Sequence, residues 1–291
     1  KAARHPLVLA GRVGRSIDAW RQRIVLAERL GALVMTDLKV GAAFPTDHPL
    51  HVSAQGLIVS SAQWTDTIRK ADVILSLDWV DLDGTLKAAH GGDAPTAKVI
   101  QASVDYQIHN GWSMDYLGLP TVDLFLSADP DTVVSALVQA LGPQSASAGI
   151  PAVPPRGPAV AADLPDGPIK FHDLARALKR AVGERPTTLT RLPLTWDVTI
   201  WPFRHPLDYL GFNGGGGLAA GPGIAVGAAL ALKDSGRLTL AICGDGDFLM
   251  GVTALWTAVR YRLPLLIVIY NNRSYFDDEM HQDRVARARG R

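Results

Sequence analysis

The sequence predicts an α/β protein built from two doubly wound domains, each with a parallel sheet. Short apolar runs of strand length alternate with segments whose apolar residues recur at helical spacing. A stretch rich in Pro, Ala, Gly and Ser, residues 143–170, separates two such series and is interpreted as a linker. Apolar residues make up 47% of the 291 residues, which is enough for a core in each of two domains of ordinary size.

The first series, residues 1–142, is predicted to be one domain. Residues 7–10 form an apolar run, and Ser16 stands at the N-cap of a helix-spaced segment that ends at Leu30. Strands that alternate with helices favour a parallel sheet with helices on both faces. Further strands are predicted at residues 32–36, 73–77, 98–104 and 122–127, and further helices at 62–70 and 131–141.

The second series, residues 171–291, resumes the alternation after the linker. Residues 184–212 are rich in Trp and Pro and are predicted to be irregular, and the glycine run NGGGG (213–217) follows them. Helices are predicted at residues 171–182, 222–233 and 252–261, and strands at 238–243 and 264–270.

Composition excludes several classes of partner. Lys plus Arg total 29 and Asp plus Glu total 28, so there is no electrostatic reason to expect nucleic acid or an acidic membrane as partner. No apolar stretch approaches the roughly 20 residues that span a bilayer. The single cysteine, Cys243, excludes an internal disulfide and is interpreted as a small buried apolar residue, which fits a reducing compartment such as the cytoplasm. The first and last residues are expected to be cuts in a longer protein.

The most informative pattern pairs two strand ends. The segment GDGD at residues 244–247 ends one predicted strand, and Asn-Asn at residues 271–272 ends the next. Loops at the carboxyl ends of parallel strands form a ligand crevice, so Asp245 and Asn272 are expected to converge. Carboxylate, amide and backbone carbonyl oxygens suit Mg²⁺, and Gly246 lets backbone N–H groups approach a phosphate. Each piece alone is a common turn, whereas the combination is specific.

This pattern resembles the signature of thiamine-diphosphate enzymes of the benzoylformate decarboxylase, acetolactate synthase and pyruvate decarboxylase group. The stretch ALWTAVRYRLPLLIVIYNN (254–272) is especially similar to benzoylformate decarboxylases, and FPTDHPLHV (44–52) resembles the central domain of the same group. The resemblance implies a Rossmann-like central domain over residues 1–142. It implies a thiamine-diphosphate-binding fold over residues 171–291.

The resemblance also implies roles for individual residues. Leu218 matches the bulky apolar residue that holds the cofactor in its bent shape, with ordinary core packing as the alternative. The glycine run before it implies close approach of the backbone to the aminopyrimidine, with a flexible hinge as the alternative. The implied metal ligands are the side chains of Asp245 and Asn272 and the backbone carbonyl of Ser274. The implied cofactor-binding residues are Gly216, Gly217, Leu218, Gly244, Gly246 and Asp247.

An acidic segment follows the Asn-Asn pair. Asp278 matches by position an acidic residue that acts in pyruvate decarboxylases, and with His281 it is a candidate proton-handling group. The alternative is a solvated acidic helix N-terminus, which the helix dipole favours. Near Asp78 and Trp79, where benzoylformate decarboxylases carry a working histidine, this chain has none.

The function that the resemblance implies is cleavage or formation of the C–C bond next to the carbonyl of a 2-keto acid, dependent on thiamine diphosphate and Mg²⁺. The sequence does not distinguish decarboxylation from carboligation. Some members of the group bind FAD in the central domain, and the sequence leaves open whether this chain does. In the family, the general base is a Glu on a pyrimidine-binding domain. That domain is expected before Lys1, and a second subunit is expected to supply it to the site. The intact protein is therefore expected to be a homodimer or homotetramer, and this chain alone to be inactive.

Two other classes of function are compatible with parts of the sequence. A non-catalytic cofactor-binding or regulatory subunit is the main alternative. A nicotinamide oxidoreductase is a weaker one, because the block GRVGRS (11–16) lacks the full glycine spacing of a dinucleotide fingerprint. We interpret that block as a turn from a strand into a helix.

Overall fold

The fold was obtained as a computed structural model. None of the helices that it describes combines the length and the apolar character needed to cross a bilayer. The described residues are 2–52, 62–105, 118–142, 167, 169–193, 196–211 and 217–291.

The chain folds into two compact units. The first consists of Lys1–Gly183 and Leu194–Gly215, and the second of Glu184–Pro193 and Gly216–Arg291. The helix Phe171–Val182 therefore groups with the first unit, although the sequence placed it at the start of the second domain. Its Phe171 ring packs edge-on against Trp196 of the same unit, with 5.6 Å between ring centroids. The predicted domain limits, 1–142 and 171–291, stay a prediction.

The first unit is built on a six-stranded parallel sheet. Its strands are β1 (Pro6–Ala10), β2 (Leu33–Thr36), β3 (His51–Val52), β4 (Val73–Leu77), β5 (Lys98–Ser103) and β6 (Leu124–Ser127). Its described helices are α1 (Ile17–Leu30), α2 (Ala62–Lys70), α3 (Leu82–His90), α4 (Pro130–Leu141) and α5 (Phe171–Val182). The strand order is β3-β2-β1-β4-β5-β6, and every pairing is parallel.

Helices cover both faces of this sheet. Successive side chains of a strand point to opposite faces. In β1, Val8 and Ala10 belong to a core cluster with residues of α1 and α4. Leu7 and Leu9 belong to a second cluster with residues of α2 and α3. The prediction of a doubly wound parallel sheet is therefore confirmed for this unit.

The second unit carries a three-stranded parallel sheet in the order β7-β8-β9. These strands are β7 (Thr187–Arg191), β8 (Leu238–Gly244) and β9 (Leu265–Tyr270). The helices are α6 (Ala220–Ala231), α7 (Asp245–Gly251), α8 (Leu255–Arg260) and α9 (Phe276–Ala288), with a 3₁₀ turn at Val252–Ala254 between α7 and α8. Ala225 of α6 packs against Ala241 and Cys243 of β8, so this helix covers one face of the sheet.

The structure corrects the sequence-based elements at four places, one of which is the short strand β3, which was not predicted. Strand β7 lies inside residues 184–212, which were predicted to be irregular; its Thr187–Thr190 side chains are buried. The predicted helix at 252–261 is preceded by α7, which begins at Asp245 where a turn was expected. Helix α3 was not predicted, because Gly84 lowers its helix propensity, and it is stabilised by burial of apolar residues such as Leu86.

Candidate functional site

The pairing of β8 with β9 positions the two motifs. Gly244 and Tyr270 lie opposite each other in the parallel register. Neighbouring strands lie about 4.8 Å apart, so the chain leaves both strands side by side at the same edge of the sheet. Asp245 follows one strand directly, and Asn272 follows the other after a single residue. The expected neighbourhood of the two motifs is therefore present in the fold.

Helix α7 presents its N-terminus at this edge. Gly244 is its N-cap in an extended conformation (φ −67°, ψ 157°), and, as a glycine, it has no side chain that could cap the first turn. The first N–H groups of an α-helix have no partner within the helix. Those of Asp245, Gly246 and Asp247 are therefore suited to an anion such as a phosphate.

The residues that were predicted to bind metal fit Mg²⁺ by the chemistry of their donors. Asp245 is half-buried at the start of α7 and supplies one carboxylate. The Asn272 side-chain carbonyl accepts a hydrogen bond from the Ser274 N–H at 3.3 Å, which leaves a second lone pair for a metal. Among the described residues, no three His, Cys, Asp or Glu side chains cluster as metal ligands. Mg²⁺ commonly needs only one or two protein carboxylates, because phosphate oxygens and water complete its shell.

The loop after β9 has an unusual backbone conformation between Asn272 and Ser274, which were both predicted to bind the metal. Arg273 has a φ of +56°, in the left-handed region. The Asn271 side chain stabilises this turn by accepting a hydrogen bond from the Arg273 N–H at 3.1 Å. Non-glycine residues in this region cost about 1–3 kcal/mol and cluster at functional sites. The turn holds Asn272 and Ser274 in a defined arrangement.

Gly246 has a close neighbour that the sequence did not indicate. A Cβ atom at this position would lie 2.4 Å from the ring of Tyr275. The glycine therefore lets the loop after β9 pack directly on the first turn of α7. This contact fixes the two halves of the candidate site against each other, and the predicted approach of a phosphate to Gly246 stays a prediction.

The carboxylate of Asp247 is turned into the unit. Asp247 is 3% exposed, and its Oδ2 accepts a hydrogen bond from Arg191 Nε at 3.0 Å in a buried ion pair. A Cβ at Gly221 of α6 would lie 2.3 Å from that oxygen. Only the backbone of Asp247, and not its side chain, is left for the predicted contact with a diphosphate.

Cys243 lies next to this ion pair. Its thiol is fully buried, and burial, followed by the negative charge of Asp247, raises its pKa to about 12. The thiol is therefore protonated at neutral pH and is not a nucleophile. Its interpretation as a small buried apolar residue is confirmed.

Leu218 is exposed, which excludes the alternative of ordinary core packing within the described chain. Its side chain is 44% exposed, and the following Ala219 has a φ of +77° at the N-cap of α6. A Cβ at Gly251 would lie 2.4 Å from the Ala219 carbonyl oxygen, so the end of α7 packs closely on this turn. Gly217 is exposed, and Gly216 lies outside the described residues.

Asp278 and His281 are exposed on α9, three residues apart. Within the described residues, neither of them forms a hydrogen bond or an ion pair. Three acidic residues occupy the first turn of α9, as the helix dipole favours. The Ser274 hydroxyl donates to Glu279 at 2.5 Å and ties this turn to the proposed metal-binding loop. Proton handling by Asp278 and His281 stays a prediction.

Two residues of the site were missed in the sequence. Arg191 lies 56 positions before its partner Asp247 and ends a strand that was not predicted. Tyr275 follows the proposed ligand Ser274, and no role was predicted for it. No local signal marks either residue, because both act through contacts with distant segments.

Comparison with known proteins gives two family matches. Residues 1–137 match the family described as "Thiamine pyrophosphate enzyme, central domain". Residues 194–286 match "Thiamine pyrophosphate enzyme, C-terminal TPP binding domain". The two matches together cover most of the chain and both halves of its predicted organisation.

Similar individual proteins agree with these matches. Benzoylformate decarboxylase of Pseudomonas aeruginosa is 31% identical over 153 residues, which are 52% of this chain and 28% of that protein. The acetolactate synthase isozyme 1 large subunit of Escherichia coli is 25% identical over 278 residues, 94% of this chain and 47% of that protein. The fold resembles the crystal structure of benzoylformate decarboxylase from Polynucleobacter necessarius with a TM-score of 0.72 at 22% identity, covering 94% and 50% of the two chains. The chain thus spans about half the length, or less, of these relatives.

The buried ion pair leads to a prediction about stability. Replacing Asp247 with Leu removes the counter-charge that it supplies to Arg191, which is only 12% exposed. We expect the free energy of unfolding to fall by about 3 kcal/mol or more, measured by urea denaturation. The matched double variant, Asp247→Leu with Arg191→Met, removes both charges and should recover most of this loss. A single variant as stable as wild type would contradict the prediction.

Proposed function

We propose a function from one premise, that this chain belongs to the thiamine pyrophosphate enzymes and carries their central domain and their C-terminal TPP binding domain. The proposed function is cleavage or formation of the C–C bond next to the carbonyl of a 2-keto acid, dependent on thiamine diphosphate and Mg²⁺. Because the chain spans only about half the length of its curated relatives, this activity is proposed for the whole protein.

The observation that carries the proposal is the register of β8 and β9. Gly244 opposite Tyr270 puts the Gly-Asp-Gly and Asn-Asn motifs at one edge of a parallel sheet. Ligands of such sheets bind outside the carboxyl ends of the strands. The uncapped N-terminus of α7 at the same edge favours a diphosphate there.

The residues at this edge divide the binding between metal and phosphate. Asp245 would bind Mg²⁺ through its carboxylate, Asn272 through its amide oxygen and Ser274 through its backbone carbonyl. The backbone N–H groups of Gly246 and Asp247 would bind the diphosphate. A single protein carboxylate leaves half of the metal's double positive charge for the diphosphate to balance, which makes metal and cofactor binding interdependent.

Leu218 would support the cofactor between its two rings. An exposed leucine that follows a glycine run and precedes a left-handed residue is suited to contact an apolar part of a ligand. Thiamine diphosphate, when bound, would supply a nucleophilic carbon and a sink for the electron pair of the broken bond. The chain's own task at this end of the site is to hold the cofactor's shape and to exclude water.

The relatives support the class of reaction. Their names describe a decarboxylase and an acetolactate synthase, so we include both decarboxylation and carboligation of 2-keto acids in the proposal. The buried single cysteine supports a reducing compartment, for which we propose the cytoplasm.

The partner that we propose is a second copy of the whole protein, whose pyrimidine-binding domain completes the site. An apolar stripe, defined as Leu249, Val252, Trp256 and Val259, runs at helical spacing from α7 through the 3₁₀ turn into α8. Its side chains are between 38% and 76% exposed. Contiguous exposed apolar surface of this kind is typical of a protein–protein interface. The stripe begins two residues after Asp247, so a partner that covers it lies next to the proposed site.

The metal site gives the central prediction. Asp245→Asn keeps the size of the side chain but removes the charge that balances Mg²⁺, and Asn272→Leu removes a neutral oxygen ligand. Both variants of the full-length protein should bind thiamine diphosphate more weakly, and high Mg²⁺ should partly restore binding. Calorimetric titration of the cofactor with and without Mg²⁺ measures the effect.

The control for this titration is Asp234→Asn, the same chemical change in the turn before β8. That turn leads into Leu238, at the opposite end of the strand from Gly244, so this variant should bind the cofactor as wild type does. Equal cofactor affinity in wild type and Asp245→Asn, independent of Mg²⁺, would refute the proposed function.

Leu218 gives a prediction that separates function from stability. Because Leu218 is already exposed, Leu218→Ala should change the free energy of unfolding by about 0.5 kcal/mol or less. Turnover of a 2-keto acid by the full-length variant should nevertheless fall. Leu230→Ala, at a leucine of α6 that is 47% exposed, is the matched control and should leave turnover unchanged. Unchanged turnover of the folded Leu218→Ala variant would contradict the proposed contact of Leu218 with the cofactor.

The apolar stripe gives a prediction about assembly. The full-length protein should be a dimer or tetramer in light scattering. Trp256→Lys and Val259→Lys should weaken self-association, because each places a charge in an interface that excludes water. Ile169→Lys alters an equally exposed apolar residue of the first unit and should leave the assembly intact. A wild-type monomer with full activity would contradict the proposed partner.

A further inference from the structure

The first unit has the topology of a nucleotide-binding sheet. Its order, β3-β2-β1-β4-β5-β6, places β1 where the winding of the chain reverses. In sheets of this order, a ligand's phosphate binds at the turn from β1 into α1, against backbone N–H groups and the helix N-terminus. Here that turn is GRVGRS at residues 11–16. A phosphate can bind at this turn only where the backbone N–H groups of the turn are free.

A carboxylate of the chain already occupies this turn. The Gly14 N–H donates to Asp131 Oδ2 at 2.7 Å. Arg23 Nη1 donates to Asp131 Oδ1 at 2.5 Å, and Arg23 Nη2 donates to the Gly14 carbonyl oxygen at 3.0 Å. A Cβ at Gly14 would lie 2.4 Å from Asp131 Oδ2. The glycine therefore serves the close approach of an internal anion.

Each of the three guanidinium nitrogens of Arg23 donates a hydrogen bond within the unit. Arg23 is 3% exposed, and its Nε donates to the Ala43 carbonyl oxygen at 2.8 Å. Burial lowers the pKa of Arg23, and the charge of Asp131 opposes that effect. Asp131 is itself fixed in the first turn of α4, where its N–H donates to the Asp129 side chain at 2.9 Å. Neither charge can turn toward an external ligand without leaving the other buried and uncompensated.

The neighbouring strand ends carry a second such arrangement. Asp78, at the end of β4, accepts hydrogen bonds from Arg12 and from the Ser103 hydroxyl, the latter at 2.6 Å. Arg12 also pairs with Asp105. Among the described residues at these strand ends, Asp78, Asp105 and Asp131 are thus each paired with Arg12 or Arg23. These carboxylates compete with an external phosphate for the same two arginines.

We propose that the Asp131 carboxylate takes the place of a ligand phosphate at the turn between β1 and α1, so that the first unit binds no nucleotide or dinucleotide there, FAD included. The inference is independent of the function proposed for the second unit, because it concerns a different sheet and other residues. From the sequence alone, binding of FAD to the central domain was left open; on this proposal, FAD does not bind at the turn between β1 and α1.

Asp131→Ala should convert the turn into an anion site. The variant frees the Gly14 N–H and Arg23 Nη1, which together match an inorganic phosphate. In the full-length protein, phosphate should raise the Tm of this variant, relative to chloride of equal ionic strength, by more than it raises the Tm of wild type, because a ligand that binds only the folded state stabilises it. An anion that binds at α7 stabilises both proteins alike and leaves this difference unchanged.

Asp123→Ala is the matched control. The Asp123 carboxylate also accepts one backbone N–H, from Val99 at 2.8 Å, and one cation, Lys98 at 2.7 Å, but it lies at an exposed position outside the turn. Phosphate should stabilise this variant no more than it stabilises wild type. If Asp131→Ala does not fold, Asp131→Asn keeps the size of the side chain and an acceptor for Gly14 while removing the charge, and should show the same phosphate dependence to a smaller degree.

Titration of wild type with ADP and with FAD completes the experiment. We expect no saturable binding of either, and affinity for ADP at least about tenfold higher in Asp131→Ala than in wild type. Stoichiometric binding of ADP or FAD to wild type that Asp131→Ala weakens would overturn the inference. Equal stabilisation of wild type and Asp131→Ala by phosphate would overturn it as well.

Discussion

The parallel pairing of β8 with β9 is the constraint on which the candidate site depends. Because Gly244 lies opposite Tyr270, both strands end at the same edge of the sheet. The pairing is anchored from within, since Ala241, Ile242 and Cys243 of β8 are buried. Helix α7 begins at the next residue, so its N–H groups are oriented by the strand and not by a loop. Groups placed on the ends of regular elements are held more accurately than groups on loops.

Each unit fixes its strand-to-helix turn with a buried arginine and an aspartate. The pair is Arg23 and Asp131 in the first unit, and Arg191 and Asp247 in the second. Both aspartates stand in the first turn of a helix, where the helix dipole also favours their negative charge. A buried charge without its partner is strongly destabilising, so these pairs lock the geometry of the two turns.

The two turns differ in whether their backbone N–H groups remain free for an external anion. In the first unit, the carboxylate of Asp131 takes the N–H of the glycine turn for itself. In the second, the carboxylate of Asp247 points into the unit, and the N-cap of α7 is a glycine without a capping side chain. Among the described residues, the N–H groups at the start of α7 are thus suited to an external anion. This difference is the physical reason why we propose the diphosphate site in the second unit.

The sequence by itself determined the fold class and the pairing of the two motifs, because both are recorded locally: hydrophobic periodicity gives strands and helices, and Gly-Asp-Gly and Asn-Asn end their strands. It did not reveal β7 or α7, one rich in threonine and the other only seven residues long. Only the tertiary structure decided that Asp247 faces Arg191, that Gly246 makes room for Tyr275 and that Leu218 stays exposed. Burial and side-chain partners depend on segments far apart in the chain, and no local pattern of residues encodes which of them will meet.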